Sequence, residues 1–168
     1  MDTKINLDNI DLTLLQILQE NSRFTNKELA AAVNLSPTPV YERVKRLETL
    51  GYIKKYVAVL DAKKLNLGFE AYCNVRLSRQ NASSAEDFLA IINELPEVTE
   101  CYCIAGSYDY LLKIHASDMD HYRRIVVDTL GKIGLITQLE STFVMSVEKR
   151  TVDLPLSPRR AKGIKLKE

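Results

Sequence analysis

Three segments in the first fifty residues repeat their apolar side chains at the spacing of an amphipathic helix. In the first segment Asp8 occupies the position of an N-cap, and Asp11 follows in the first turn, where the helix dipole favours an anion. The apolar stripe of this segment consists of Ile10, Leu14, Ile17 and Leu18. The pattern predicts a helix over residues 7–20.

The second and third segments begin with strong helix-start signals. Thr25 and Glu28 have the spacing of a capping box, which predicts a short helix ending near Asn34, a residue that tolerates the left-handed conformation. Two residues later, Ser36 is the N-cap of a third helix and Pro37 its first helical residue, where a missing N–H costs nothing. The two helices are therefore joined by a very short turn.

The third helix has one apolar and one polar side. Its apolar positions are Val40, Val44 and Leu47, and its outer positions are Thr38, Glu42, Lys45 and Arg46, with Tyr41 at the margin. Arg43 lies nearer the apolar side, and two roles remain open for it, an ion pair with an acidic residue or a contact with phosphate. A short helix followed by a helix with an exposed polar side is the arrangement of a helix-turn-helix, which presents its second helix to the major groove of DNA.

Gly51 ends the third helix, and the β-branched and aromatic residues that follow predict a strand over 52–60. A strand pair behind a helix-turn-helix is a wing, which would place Lys54 and Lys55 beside the DNA backbone. We expect the bases to lie nearest Thr38, Tyr41 and Lys45. The full set of expected DNA-contacting residues is Ser36, Thr38, Pro39, Tyr41, Lys45, Arg46, Lys54 and Lys55.

A different pattern begins after a connecting segment. Apolar and polar residues alternate from Phe69 to Ser78, as in a strand with one buried face. Further strands are predicted over 98–105, 108–116 and 136–148, and helices over 84–95 and 118–130. The order β-α-β-β-α-β is the ferredoxin-like plan, which covers one sheet face with helices and leaves the other bare. We expect the bare face or its edges to expose Tyr72, Tyr102, Tyr110 and Phe143, and we infer dimerisation through this domain.

Composition and charge narrow the function. The chain has 168 residues, 46% of them hydrophobic and 27% charged, and a net charge of +1, which is ordinary for a globular protein. Residues 36–55 contain five cations and two anions, and residues 158–168 contain five cations and one anion. No 18-residue apolar run and no apolar signal core are present, so a cytoplasmic location is expected. The predicted organisation is a DNA-binding domain over 1–60, a linker over 61–68, a second domain over 69–150 and a basic tail over 151–168.

The sequence offers no pattern for catalysis or metal binding. The cysteines, Cys73, Cys101 and Cys103, form no C-x-x-C pair, and we expect Cys101 and Cys103 to be buried and inert. Neither His115 nor His121 belongs to a nucleophile–base or metal-ligand arrangement. We therefore expect no cofactor, no metal and no enzymatic activity.

With both halves in view, the chain resembles the Lrp/AsnC family of bacterial and archaeal transcription regulators. The resemblance rests on L-D-x-x-D at 7–11, T-N-K-E-L-A at 25–30, L-S-P-T-P-V at 35–40, G-Y-I at 51–53, V-T-E-C at 98–101 and A-G-S-Y-D-Y-L-L at 105–112. It implies an α+β protein, with an N-terminal winged helix-turn-helix domain and a C-terminal ferredoxin-like ligand-binding and oligomerisation domain. It also implies a homodimer that assembles further into tetramers or octamers on double-stranded DNA.

The resemblance further implies an effector, an amino acid or related small metabolite, bound between second domains where dimers meet. The loop from Gly106 to Asp109 corresponds to the family's effector-responsive G-x-x-D turn. Asp109 could bind an ammonium group or could stabilise the turn. The expected effector-binding residues are Tyr102, Cys103, Ile104, Gly106, Ser107, Tyr108, Asp109, Ile136, Thr137 and Gln138.

Two functions fit these features. The first is a nucleoid-associated, sequence-specific transcriptional regulator whose assembly and DNA binding respond to the effector. The alternative is an architectural protein that wraps DNA without a ligand.

Overall fold

The residues described by the computed structural model, 7–79 and 81–156, divide into two units. The first contains the described residues up to Ala58 together with those from Lys149 onward, and the second is Val59–Glu148. The first unit is built from helices α1 (Asn9–Glu20), α2 (Asn26–Ala32) and α3 (Pro37–Thr49). The three helices predicted for this part of the chain are confirmed.

Local signals account for the helix ends of the first unit. The side chain of Asp8 accepts the N–H of Asp11, and the Asp11 carboxylate accepts the N–H of Asp8, so α1 begins with a capping box. Thr25 and Glu28 form the predicted capping box of α2. Asn34 adopts a φ of 55°, the left-handed conformation predicted after α2. The buried core of this unit consists of Leu14, Ile17, Leu18, Leu29, Ala30, Val40 and Val44.

Ser36 is the N-cap of α3, but its side chain makes no capping hydrogen bond. A capping oxygen normally accepts the N–H of the second or third helical residue. The third helical residue is Pro39, which has no N–H. One of the two usual donors to a capping hydroxyl is therefore missing from α3, and the hydroxyl of Ser36 makes no bond to the helix.

The predicted strand over 52–60 is wrong for the single chain. Residues 54–60 have no regular secondary structure. A strand requires a partner for its backbone groups, and none of the described segments pairs with this one. Tyr56, Val57 and Val59 are consequently exposed.

The second unit contains the predicted β-α-β-β-α-β order. The strands are β1 (Phe69–Leu77), β2 (Val98–Cys103), β3 (Tyr110–Ala116) and β4 (Ile136–Phe143), and the helices are α4 (Ala82–Asn93) and α5 (Met119–Arg123). All neighbouring strands are antiparallel, in the order β2-β3-β1-β4. Both helices pack on one face of the sheet, where Phe88 of α4 and Tyr122 of α5 are buried.

Several predicted element ends differ from the structure. The strand predicted to reach Glu148 ends at Phe143, because Phe143 and Val144 pair with the first residues of β1 and the chain beyond has no neighbouring strand to follow. The strands predicted over 98–105 and 108–116 are shorter, so residues 104–109 form a wider hairpin loop. The helix predicted over 118–130 is α-helical only to Arg123 and continues as a π-helical turn, Arg124–Thr129.

The π-helical turn has a packing reason. Ile125 and Leu130 are both buried although they are five residues apart. The N–H of Leu130 bonds to the carbonyl of Ile125, which is the i to i+5 spacing of a π-helix. The wider turn therefore brings both side chains to the sheet.

Two of the four aromatic residues expected on the bare face lie on the helix-covered side instead. Tyr110 is buried, with its ring centroid 4.7 Å from that of Phe88. Phe143 packs on Tyr122, at 5.2 Å between centroids. The bare face has ion pairs in their place: Lys113 Nζ lies 3.1 Å from a Glu100 oxygen and 3.6 Å from a Glu70 oxygen.

Residues 151–156, predicted as part of a tail, include a segment that is bound to α1. The side-chain amide of Gln19 donates to the carbonyl of Leu154 at 2.9 Å and accepts its N–H at 3.1 Å. A primary amide offers the same donor and acceptor pair as a neighbouring strand. The cationic part of the predicted tail, residues 158–168, lies outside the described residues.

Candidate functional site

The outer side of α3 exposes the residues that the sequence predicted for DNA contact. Thr38, Tyr41, Lys45 and Arg46 are all exposed, whereas Val40, Val44 and Leu47 are buried. Lys45 Nζ lies 6.0 Å from the centroid of the Tyr41 ring and 2.9 Å from a Glu48 oxygen. The hydrogen bond to Glu48 raises the pKa of Lys45, which stays charged at neutral pH.

The two arginines of α3 bind carboxylates of α1. Arg43 Nη1 lies 2.7 Å from Asp8 and 2.8 Å from Asp11, and Arg46 Nη2 lies 2.6 Å from Asp11. The hydrogen bonds to Asp11 and Asp8 raise the pKa of Arg43. Of the two roles left open for Arg43, the structure shows the ion pair. The burial of Asp11 beneath both arginines was not predicted, although the spacing of Arg43 and Arg46 on the helix was a signal for it.

The segment after α3 is tied to the end of that helix. The N–H groups of Tyr52 and Ile53 donate to the carbonyl of Leu47, and the hydroxyl of Tyr56 donates to Glu48 at 3.0 Å. Burial, with the Glu48 carboxylate as a second cause, raises the pKa of Tyr56 to about 12. Lys54 and Lys55 lie within this tied segment and are exposed. Ser36 is exposed and Pro39 half-buried at the opposite end of α3.

In the second unit, Asp109 anchors the hairpin between β2 and β3. Its Oδ2 accepts the N–H of Leu77 at 2.8 Å, and its own N–H donates to the carbonyl of Val75 at 2.9 Å. The pairing of β1 with β4 shifts in register between Arg76 and Leu77. The N–H of Leu77 therefore donates to Asp109 of the hairpin and not to β4. Of the two roles open for Asp109, the structure shows the turn-stabilising one.

A cavity of about 470 Å³ lies between this hairpin, the end of β1 and the start of α4. Five of the predicted effector-binding residues line it: Cys103, Ile104, Gly106, Tyr108 and Asp109. A further wall, which the sequence did not predict, is formed by Leu77, Arg79, Asn81, Ala82 and Ala85. The sheet topology could have predicted this wall. The chain leaves β1 and enters α4, and β1 pairs with β3, so the start of α4 lies near the hairpin that precedes β3.

The remaining predicted effector residues lie elsewhere around the hairpin. Ser107 is exposed in the loop, and Tyr102 points to the opposite sheet face from its neighbour Cys103. Ile136, Thr137 and Gln138 begin β4, on the other side of β1. One link joins the two groups: the Gln138 amide donates to the Tyr108 hydroxyl at 3.1 Å, and that hydroxyl donates to Glu140.

The three thiols differ in exposure. Cys73 is fully buried, and burial raises its pKa to about 11. Cys101 is half-buried, and burial raises its pKa as well. Cys103 is exposed, so the expectation of a buried thiol is wrong for Cys103, whose strand ends at the open hairpin.

The described residues contain neither a metal centre nor a membrane-spanning helix. No group of three His, Cys, Asp or Glu side chains in 7–79 and 81–156 is arranged to hold a metal ion. Among the helices of the same ranges, none has the length and apolar character to span a bilayer.

Comparison with known families matches both units. Residues 7–54 match the model of a winged helix-turn-helix DNA-binding domain, and residues 70–154 match that of the Lrp/AsnC ligand-binding domain. The two matches together cover most of the chain.

Individual relatives align over almost their whole length. The transcriptional regulator AzlB of Bacillus subtilis is 40% identical over 152 residues, which are 90% of this chain and 97% of AzlB. The leucine-responsive regulatory protein of Escherichia coli K12 is 35% identical over 153 residues, which are 91% and 93% of the two chains. A Neisseria meningitidis transcriptional regulator, solved as its L-Met complex, superposes with a TM-score of 0.86 at 40% identity, covering 90% and 97%.

These matches agree with the geometry. The helix-turn-helix model covers the unit that exposes α3, and the ligand-binding model covers the unit that contains the hairpin cavity. The chain therefore belongs to the Lrp/AsnC family and is a transcriptional regulator with a DNA-binding helix-turn-helix and a ligand-binding domain.

Proposed function

We propose that this regulator binds specific DNA sequences through the outer side of α3 and changes its assembly and DNA binding in response to an amino acid or related metabolite. The observation that supports the first part is the division of α3 into a buried apolar side and an exposed side with Thr38, Tyr41 and Lys45. Hydroxyl, phenol and ammonium groups can hydrogen-bond base edges in the major groove. A regulator of this kind acts on the chromosome, so we propose a cytoplasmic, nucleoid-associated location.

Phosphate contacts are proposed for the two ends of α3. Ser36 has a hydroxyl that is not used by the helix, and Lys54 and Lys55 are exposed cations held beside its other end. Pro39 orients the first turn, and Arg46 is proposed to contact phosphate from the last turn. Phosphate contacts set the position of a protein on DNA, and base contacts set its sequence preference.

The effector is proposed to bind at the hairpin cavity. Its wall is apolar at Leu77, Ala85 and Ile104, and polar at Arg79 and Tyr108. Such a lining suits a small molecule with an aliphatic or thioether side chain and charged groups at one end. The L-Met complex of the N. meningitidis relative supports an amino acid as the class of effector. The loop residue Ser107, Tyr102 on the opposite face and Ile136, Thr137 and Gln138 on β4 are proposed to contact the effector where a second subunit closes the site.

Self-association is proposed through two surfaces. Residues 54–60 have no strand partner among the described residues and expose Val57, Val59 and Leu60, which a second copy could cover. The bare sheet face, with Tyr72 and Tyr102, is the second surface. A homodimer built in this way and assembling further into tetramers or octamers would present two or more α3 helices to DNA.

The DNA part is tested by replacing one wing cation. Lys54→Ala should weaken binding similarly on all duplexes and reduce the slope of log K against log salt by about one, because one phosphate contact is lost. The matched control is Lys132→Ala, an exposed cation of the second unit. Unchanged affinity and slope for Lys54→Ala would show that this segment does not meet the DNA.

The effector part is tested by filling the cavity. Isothermal titration with L-Met and L-Leu should detect binding to the wild-type chain and none to Ala85→Leu, which places a larger side chain in the cavity. Ala90→Leu, on the exposed side of the same helix, is the control. DNA compaction without binding of any of the twenty amino acids would favour the ligand-independent architectural protein instead.

A further inference from the structure

Asp11 is a charged residue of the first unit that is buried, although burying a charge does little to stabilise a fold. Its side chain is 1% exposed and accepts hydrogen bonds from Arg43 Nη1, from Arg46 Nη2 and from the N–H of Asp8. Removing a carboxylate from water is unfavourable, and a buried ion pair is often no more stabilising than well-packed apolar residues. Stability alone therefore does not account for the buried Asp11, and its two arginine partners point to a second role.

The two arginines are held differently. Arg43 is 27% exposed and bonds to both Asp8 and Asp11. Arg46 is 46% exposed, and within the described residues the one hydrogen bond of its side chain is to Asp11. A guanidinium has about five N–H donors in a planar fork. Arg46 thus has a fixed end, bound to a buried carboxylate, and an accessible end with several donors.

Arg46 lies in the last turn of α3, on the same helix as the proposed base-contacting residues. A freely rotating arginine must lose side-chain entropy when it binds phosphate, whereas one already held by a carboxylate loses less. A guanidinium can also bridge a carboxylate and a phosphate, because its N–H groups point in different directions.

We propose that Asp11 is a positioning residue for DNA binding: its buried carboxylate orients the guanidinium of Arg46 so that the accessible N–H groups bind a backbone phosphate. The proposal rests on the proposed function, since it requires α3 to meet DNA. It assigns the α1 carboxylate a part in binding although Asp11 is itself too buried to touch a ligand.

The direction in which DNA affinity changes distinguishes this proposal from a simple effect of charge. By charge alone, removing an anion near DNA should strengthen binding, because the repulsion of phosphate is lost. If Asp11 orients Arg46, the near-isosteric Asp11→Asn should weaken binding by about tenfold, the order expected for one charge-assisted hydrogen bond.

The experiment is a double-mutant cycle with Asp11→Asn, Arg46→Ala and the combination, measured by fluorescence anisotropy on a mixed-sequence duplex at low salt. A phosphate contact does not depend on base sequence, so no operator is needed. Arg46→Ala should weaken binding by about tenfold, and adding Asp11→Asn to it should change affinity less than about twofold. Asp8→Asn, which leaves the Arg46 contact in place, should bind as the wild type does.

Two results would overturn the proposal. One is an unchanged or higher affinity of Asp11→Asn; the other is an equal loss when Asp11→Asn is introduced into the Arg46→Ala chain, which is what a purely structural role produces. If the wild-type chain binds no duplex, the proposed function fails as a whole. If it binds and the cycle is additive, only the role of Asp11 fails.

Urea unfolding decides whether Asp11→Asn is folded. Should it be unfolded, Arg46→Lys replaces it in the test. A lysine retains the charge but has a single ammonium group, which cannot bridge carboxylate and phosphate in the manner of a planar fork. Arg46→Lys should then bind more weakly than the wild type, because it keeps the charge but not the planar fork, and wild-type affinity for Arg46→Lys would overturn the bridging arrangement.

Discussion

The two units of this chain are stabilised by different means. Among the described residues the helical unit has seven buried side chains in its core cluster, and two of its three helices, α1 and α2, begin with reciprocal capping boxes. The sheet unit has thirteen, drawn from the two central strands β1 and β3, from α4 and α5, and from the turns that follow α5. Local interactions thus account for much of the first unit, whereas contacts between distant segments account for the second.

This difference leads to opposite expectations for mutation. In the sheet unit, truncating one central side chain should be very costly, because every layer contacts the same core. In the helical unit, a single capping side chain should matter measurably although it is on the surface.

Phe88→Ala should lower the free energy of unfolding of the sheet unit by about 3–5 kcal/mol, since it removes a fully buried ring that packs on Tyr110. Leu89→Ala, on the next position of α4 and 37% exposed, should cost less than about 1 kcal/mol. Urea unfolding followed by tyrosine fluorescence measures both. Equal effects of the two substitutions would contradict a core centred on Phe88.

Asp109→Ala should destabilise the sheet unit by about 1–3 kcal/mol, because the N–H of the buried Leu77 loses its acceptor. Ser107→Ala, in the exposed part of the same hairpin, is the control and should stay within about 0.5 kcal/mol of the wild type. The same unfolding assay applies. A neutral Asp109→Ala would mean that the hairpin is anchored by its backbone bonds alone.

Thr25→Ala should destabilise the helical unit by about 1 kcal/mol, because the hydroxyl accepts the N–H of Glu28 at 3.3 Å. Ser36→Ala offers a matched comparison at another N-cap, where the side chain makes no such bond, and it should cost less. Circular dichroism at the helix band during thermal unfolding reports both. A larger loss for Ser36→Ala would show that Pro39 does not cancel the cap.

The smallest effect expected is a pH dependence from the same helix starts. The N–H of Thr25 lowers the pKa of Glu28, and for Asp8 the bonds to Asp11 and Arg43 outweigh the opposing effect of burial and lower its pKa. The unfolded chain therefore takes up protons at higher pH than the folded chain. The stability that these carboxylates contribute is complete above their ordinary pKa values of 4.5 and 3.8 and is lost as the pH falls through the lower folded values.

The measurement is the urea midpoint of the helical unit as the pH is lowered. Glu28→Gln, which retains a side-chain acceptor for Thr25, should show a shallower loss of stability than the wild type. Glu86→Gln on the exposed side of α4 is the control. If the urea midpoints of the wild type and of Glu28→Gln fall in parallel as the pH is lowered, Glu28 does not contribute to the acid sensitivity.

The contrast between the units also explains how far the sequence alone could predict the fold. The helix starts at Asp8, Thr25 and Ser36 depend on neighbours in the chain, and all three were predicted. The ends of β4 and of α5 depend on distant residues: β4 ends where β1 has no more residues to pair with, and α5 widens because Ile125 and Leu130 must both reach the sheet. No pattern within those segments contains this information.

The candidate sites follow the same rule. The exposed face of α3 was predictable because helical periodicity alone separates its two sides. The cavity was predicted only in part, because its α4 wall around Ala85 is brought to the hairpin by the sheet topology. The side of the sheet occupied by Tyr110 was also missed, since alternation on a strand defines two faces without saying which one the helices cover.

The two prolines at the start of α3 have a consequence for how closely that helix can approach another surface. A helix start ordinarily has backbone donors that bind water, and these must be dehydrated when the end is pressed against a partner. Pro37 and Pro39 remove two of those donors altogether. The start of α3 therefore binds fewer water molecules when it is free, and fewer must be removed when it packs against a partner surface.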